Sequence, residues 1–450
     1  MARRFMDATA AVRKQTGALP QRERDFRNNF ILYIINGACG GFGDALTSTP
    51  LVMTAFLSQV TTSNTLIALL GPLRDAGWYL PQFFLATWVD RQHSMLGAYR
   101  TSIAFRIAAW VAMVLAIFFI QDRTLLVIAV LGATLAISFL AGFAGLPFLL
   151  LTAKVIPAGR RGLVFGLRQF IGGVLGVAAG GLVALILSGH LGFGYPQNFA
   201  VVIGGGSAGY AASYLVLLLI KEPMDEAPAT AHAGRNHPKL NLRQAWSIAR
   251  GDAQYLRYIV MRIALLVGAT CVPFLTVYAK RTLAVNDGFI GTLISVTLAC
   301  GLLSNVVWAR VSDHYGNRLV MMIAAAMGLA FCVIAIFITR LTPDASNGDI
   351  AHLALIGLFG LSGAMQTGIQ LASLPLMIEV APASQQALYI GLSNTVMGVV
   401  ILLTSSAGII VDQLGYLGIF ILSALAFAIA LERSVRMREP RIVALREDAS

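Results

Sequence analysis

The feature that most constrains this chain is a succession of long apolar runs broken by short charged segments. Runs cover about 30–57, 65–89, 101–120, 124–153, 163–188, 198–220, 257–279, 288–309, 319–339, 350–378, 388–411 and 415–432. A helix needs about 20 apolar residues to cross the hydrocarbon of a bilayer, and each run reaches or approaches that length. The runs are continuous rather than alternating, which argues against a membrane β-barrel. The expected fold is an all-α membrane protein with twelve spans. Composition agrees: 57% of residues are hydrophobic and only 12% charged, against about a quarter charged in soluble domains. A soluble enzyme, a disordered chain and a secreted disulfide scaffold are thereby excluded. The four cysteines, Cys39, Cys271, Cys300 and Cys332, all sit inside apolar runs and form no C-x-x-C, so no zinc site or disulfide framework is expected.

The charges between the runs orient the chain. With the N-terminal tail placed inside, 25 of the 33 Lys and Arg residues fall in inner segments, four in outer loops and four within spans. An excess of this kind marks the cytoplasmic side, so both termini are expected inside. The same placement accounts for the net charge of +12 without nucleic acid as a partner. The expected organisation is a basic tail at 1–28, a six-helix half at 29–220, a cytoplasmic middle loop at 221–256 rich in charge, Pro and Ala, a second six-helix half at 257–435 and a tail at 436–450. The basic start has no apolar stretch directly behind it, unlike a cleaved signal peptide.

An internal repeat supports the two halves. Lys154-Val-Ile-Pro157-Ala158 is echoed by Glu379-Val-Ala-Pro382-Ala383, 225 residues later, and Asp90 by Asp313. Two six-helix halves related by an axis along the membrane normal form a transporter architecture.

The segment from Trp308 to Arg318, with Arg310, Asp313, Gly316 and Arg318, closely resembles the loop signature of the major facilitator superfamily, Gly-x-x-x-Asp-x-x-Gly-Arg/Lys-Arg/Lys. It departs at Ala309 for the first Gly and at Asn317 for a basic residue. The first-half copy keeps Asp90, Arg91 and Arg100 but has His93 where Gly is usual. The resemblance spans about residues 28–435. The run Gly77-Trp78-Tyr79-Leu80-Pro81-Gln82 is similar to that of uncharacterised bacterial members and names no substrate. The resemblance implies a multi-pass protein of the bacterial inner membrane, monomeric, moving a small molecule by alternating access, with protons as the coupling ion and no cofactor. It also implies an inner latch: Asp313 facing the start of the fifth span near Leu163, and Asp90 facing the eleventh near Leu388, each acid against the positive end of a helix. The plain alternative is a loop that fixes topology with solvated charges.

Ionisable side chains within spans are the candidates for function. Asp44 lies mid-way through the first span, on a face with Asn36, Gly40, Thr47, Thr54 and Ser58, and is the expected proton-coupling residue. The alternative is a permanently paired structural carboxylate. Arg74 and Asp75 adjoin in the second span and point about 100° apart on a helix, so at least one should reach another helix, and Asp44 is the expected partner of Arg74. A structural pair and a substrate site remain equal readings there. Arg106, Arg168 and Arg262 lie near the inner surface and are expected to snorkel or bridge the inner gate; Arg168 binding an anionic substrate is the minority reading. Gln366, Gln370 and, more weakly, Asn394 suit either a polar ligand or helix–helix bonds. The glycines from Gly172 to Gly181 resemble the antiporter signature of exporters with Val177 in place of Pro, which implies export; close helix packing is the favoured explanation of them. No P-loop, no metalloprotease motif and no nucleophile elbow occurs, so an enzyme is not expected. A uniporter or exchanger with a structural Asp44, and a non-transporting sensor or scaffold, are the competing functions.

Overall fold

The computed structural model describes residues 19–78, 94–222, 247, 250–341, 348–382 and 385–439. Among them secondary structure is helical throughout. We number the helices α1 (Leu19–Leu46), α2 (Thr54–Val60), α3 (Asn64–Ala68), α4 (Met95–Phe119), α5 (Arg123–Val155), α6 (Ala158–Leu187), α7 (Gln197–Leu217), α8 (Ala253–Ala269), α9 (Cys271–Arg281), α10 (Asp287–Tyr315), α11 (Asn317–Leu341), α12 (Gly348–Val380), α13 (Gln386–Leu403) and α14 (Ala407–Arg436). A π-helical turn, Thr49–Met53, joins α1 to α2. Ten stretches of the described residues are long and apolar enough to cross a membrane. One of them, Leu388–Arg436, breaks at Gly415, where φ is 69° and ψ −175°. The run expected at 65–89 is helical at 64–68 and 70–78 and then passes outside the described residues. Asp90, Arg91, the first 18 residues and most of the middle loop also lie outside them.

The surface fits lipid. Phe105, Ile128, Leu219, Leu303, Phe337 and Leu353 are each at least 60% exposed, an outlay of apolar surface that water would penalise and hydrocarbon solvates. Inside, one continuous core runs through both halves from Tyr33 to Phe427.

Local chemistry repeats between the halves. Pro50 widens the first span into the π turn, because its nitrogen carries no hydrogen and the ladder skips to Met53 N–H donating to Ser48 O at 3.0 Å. Pro273, at the equivalent place 223 residues later, follows the break between α8 and α9 at Thr270. Ser63 and Asn286, the same interval apart, cap the helices that come next: Ser63 Oγ accepts from Leu66 N–H at 3.3 Å, and Asn286 Oδ1 from Gly288 N–H at 2.8 Å. A tight turn at Asp122 joins α4 to α5, with its carboxylate accepting from Leu125 N–H at 2.7 Å.

Residues 25–29, 94–96, 154 and 221–222 meet at one end of the bundle, which we call the terminal face; the opposite end is the far face. At the terminal face Glu222 caps α4. Its oxygens accept from the backbone N–H of Met95 at 3.0 Å and Leu96 at 2.9 Å, from Ser94 Oγ at 2.7 Å and from Lys154 Nζ at 3.3 Å. Burial pushes this carboxyl up, but those donors outweigh it and hold Glu222 below the usual glutamate range. A lowered native pKa means the stabilisation is fully present above the unfolded glutamate value and is lost as pH falls through the native one. Glu222→Gln should therefore lower stability by about 1–3 kcal/mol at neutral pH, and the melting-temperature gap to wild type should close on acidification. Equal melting curves at neutral pH would refute the cap. The pseudo-equivalent corner of the second half uses Glu379, which accepts from Asn317 Nδ2 at 2.8 Å.

Candidate functional site

The first span brings Asn36, Gly40, Asp44, Thr47 and Thr49 onto one face, and that face lines a cavity of about 680 Å³. Its other walls come from Arg74, Asp75 and Trp78, from α4 (Tyr99, Arg106, Trp110), from α5 (Thr134 to Leu149), from α6 (Phe165, Arg168) and from α7 (Tyr210, Ser213, Tyr214). Every described lining residue belongs to the first half. Asp44, Arg74, Arg106 and Arg168 are charged side chains of the spans that converge there. Tyr99 is in the second turn of α4, Phe165 about two turns into α6, and Leu217 ends α7, so the cavity extends from mid-bundle toward the terminal face.

At its centre Arg74 Nη2 donates to Asp44 Oδ1 at 3.2 Å, and Arg74 Nη1 donates to Thr49 Oγ1 at 2.8 Å. The Tyr210 hydroxyl donates to the same Asp44 oxygen. The expected cross-helix pair is thus present, with a tyrosine that the sequence did not single out. The side chains of Arg74 and Asp44 remain 40% and 58% exposed, so the pair faces the cavity rather than being sealed in packed core. Asp75 also lines the cavity and is exposed.

The three arginines expected at an inner gate have partners inside their own halves. The Arg106 guanidinium lies 3.7 Å over the Tyr214 ring. Arg168 Nε donates to Asn36 Oδ1 at 3.1 Å, and Asn36 in turn donates to Ser213 O at 2.9 Å. Arg262 Nη1 donates to Ser373 Oγ at 2.6 Å. Arg262 and Asn394 line a separate pocket of about 90 Å³ in the second half. Gln366, half-buried, and Gln370, exposed, line neither space.

The signature loop turns at Gly316, whose φ of 88° is a region that only glycine occupies without strain. Asp313 is exposed at the end of α10. Arg318 Nη1 donates to Met437 O at 2.6 Å, and Asn317, where the family has a basic residue, binds Glu379. The loop is thereby stitched to its own half.

The two halves are joined at the far face. Arg281, at the end of α9, donates to Thr61 O at 2.5 Å, to Ser58 O at 3.3 Å, to Thr62 O at 3.3 Å and to Asn64 Oδ1 at 2.9 Å. These acceptors surround the C-terminal end of α2, where a cation is favoured. Asp412 does the converse at α3: it accepts from the Asn64 and Thr65 N–H groups, each at 3.3 Å, and from Asn64 Nδ2 at 2.8 Å and Thr65 Oγ1 at 2.9 Å. Gln59 Nε2 donates to Asp287 Oδ1 at 2.9 Å, and Asp287 pairs with Lys280. Thr276 Oγ1 donates to Pro50 O at 2.8 Å. The cavity thus reaches toward the terminal face, while hydrogen bonds join the two halves across the far face.

Residues 262–442 match the sequence description of the Major Facilitator Superfamily. Solved structures share the fold over nearly the whole chain. A D-xylose–proton symporter is 15% identical, with 92% of this chain and 98% of that one covered and a TM-score of 0.67. The nucleoside transporter NupG is 13% identical, covering 90% and 99%, at 0.68. A bacterial homologue of the iron transporter ferroportin, in an inward-facing state, is 15% identical, covering 92% and 99%, at 0.63. The chain has the major facilitator fold, and residues 262–442 carry that family's sequence pattern. No curated protein matches the chain.

The residues that the sequence did not single out are Tyr210, Trp110, Tyr214, Arg281 and Asp412. The aromatic side chains look like ordinary span residues until α4 and α7 are placed together. Arg281 and Asp412 offered a usable signal: both are charges at the ends of apolar runs.

Proposed function

We propose that this protein is a secondary active transporter of a small molecule, coupled to protons through Asp44. It works as a monomer of twelve spans in two six-helix halves, with the terminal face in the cytosol of a bacterium. The carrying observation is the Asp44–Arg74–Tyr210 cluster opening onto the cavity. A carboxylate there can hold a proton in one state and Arg74 in the other. Arg74 is tied to Thr49, next to Pro50, and Pro50 O accepts the bond from Thr276 of the second half. Protonation of Asp44 removes the charge that positions Arg74, and the change passes along three bonds to a contact between halves. That route gives proton binding a differential effect on the two states, as coupling requires. The glycine run of α6 is consistent with export. A uniporter or exchanger is the second reading; the same ion pair favours it if Asp44 keeps Arg74 at every step.

The test compares wild type with Asp44→Asn in purified form. A carboxylic-acid infrared band that appears in wild type on acidification should be reduced in the variant, and pH-dependent stabilisation by any ligand should vanish with it. A band that persists unchanged makes Asp44 structural and leaves the second reading.

A further inference from the structure

In the cavity, two arginines sit over aromatic rings, and one of them is buried with a donor unused. On α4, Arg106 and Trp110 are one turn apart; on α7, so are Tyr210 and Tyr214. The two pairs interleave. Trp110 stacks on Tyr210 with centroids 5.0 Å apart, and Arg106 covers Tyr214 at 3.7 Å. Arg168 lies 5.1 Å over the Phe148 ring. Both guanidiniums sit about three turns in from the terminal face, and Tyr99 interacts with each of them.

A guanidinium over a ring has that face covered and presents its N–H groups at the rim, where they can receive a carboxylate or another oxyanion. Arg168 gives its Nε to Asn36 and Arg106 bonds the Tyr99 and Tyr214 hydroxyls, which leaves the Nη groups of Arg168 and the Nε of Arg106. Arg106 is only 8% exposed, and its Nε is buried without a hydrogen-bond partner. A buried polar donor left unsatisfied is costly and is uncommon without a reason such as a ligand. The negative charges that face the cavity are Asp44 and Asp75. Asp44 is engaged by Arg74, and Asp75 adjoins that same arginine, so neither carboxylate takes the N–H edges of Arg106 or Arg168. The alternative occupant, an organic cation, would meet three arginines, Arg74, Arg106 and Arg168, against two carboxylates, one of which Arg74 already holds.

We propose that the first-half cavity binds a small organic anion with a flat apolar body, its oxyanion on Arg106 and Arg168 and its body along the Trp110–Tyr210 stack. This rests on the transporter reading above and specifies its substrate class. A volume of about 680 Å³ is in the range of small-molecule sites.

The experiment uses three probes of one shape on the purified protein: naphthalene-2-carboxylate, its neutral amide, and 2-naphthylmethylammonium. Binding is read by tryptophan fluorescence and by thermal shift. The carboxylate should bind about tenfold to a hundredfold tighter than the amide, the ratio expected of charge-assisted hydrogen bonds. That preference should collapse in Arg106→Gln and in Arg168→Gln. Arg106→Lys keeps the charge without the planar edge, and should lose most of the preference while folding as wild type does by thermal melt. Equal binding of amide and carboxylate, preference for the ammonium, or no binding of any probe overturns the proposal. Proton coupling is judged separately, by the Asp44 infrared band, so failure here leaves that reading standing.

Discussion

Replacing Arg281 with alanine is expected to free the far face. Arg281 supplies charge-assisted bonds to the carbonyls at the end of α2 and to Asn64, and these bonds exist only while the halves are closed there. Losing them should shift the equilibrium between states by about 3 kcal/mol, which is about a hundredfold in population. Met53 reports the shift: it lines the cavity yet is only 4% exposed, lying just inside the lock. In a background without the four native cysteines, Met53→Cys should react slowly with an impermeant maleimide added at the far face. Adding Arg281→Ala should raise that rate up to about a hundredfold, and Asp412→Asn should raise it less, because the neutral side chain can still hydrogen-bond to Thr65. An unchanged rate in both would remove the lock from the mechanism.

The second large effect is expected at the crossing of α6 and α10. A Cβ on Gly291 would come within 2.1 Å of Ala184 N and 2.3 Å of Gly180 O. These are backbone atoms, so no rotamer change can relieve the clash. Gly291→Val should therefore destabilise the closed far face by about 1–3 kcal/mol or more. The melting temperature should fall, and labelling of Met53→Cys should rise as the halves are wedged apart. Gly181→Ala is the control, since a Cβ there meets nothing within 4 Å. If Gly291→Val behaves like Gly181→Ala, the crossing is looser than described. The same crossing explains part of the α6 glycine run: Gly176 and Gly180 lie against Leu298 and Ser295 of the other half, while Gly172 lies against Gly37 and Gly41 of its own. Close packing is their structural role, whatever the direction of transport.

Much was legible in the residues alone. Span-length apolar runs leave a backbone no choice but helix in hydrocarbon, since each N–H and C=O must be satisfied within its own segment. The repeat around Pro157 and Pro382, and the loop at Asp313 and Gly316, marked two related halves. Asp44 and Arg74 were identifiable as a pair because two opposite charges at mid-depth are too costly to leave apart. What the sequence could not decide was which faces of the helices meet. Arg106 and Arg168 looked like gate residues by depth, but depth is a one-dimensional quantity, and rotation about the helix axis is set by packing. That rotation turns them onto Tyr214 and Phe148 inside the first half. It also leaves Gln366 and Gln370 off the cavity, although their spacing was as suggestive as that of Asn36 and Asp44. Tyr210 gained its role only when α7 was laid beside α1. Arg281 and Asp412 show the same limit across the halves: their sequence positions told that they were charged and near a helix end, and only the tertiary structure supplied the opposite helix ends whose dipoles they complete.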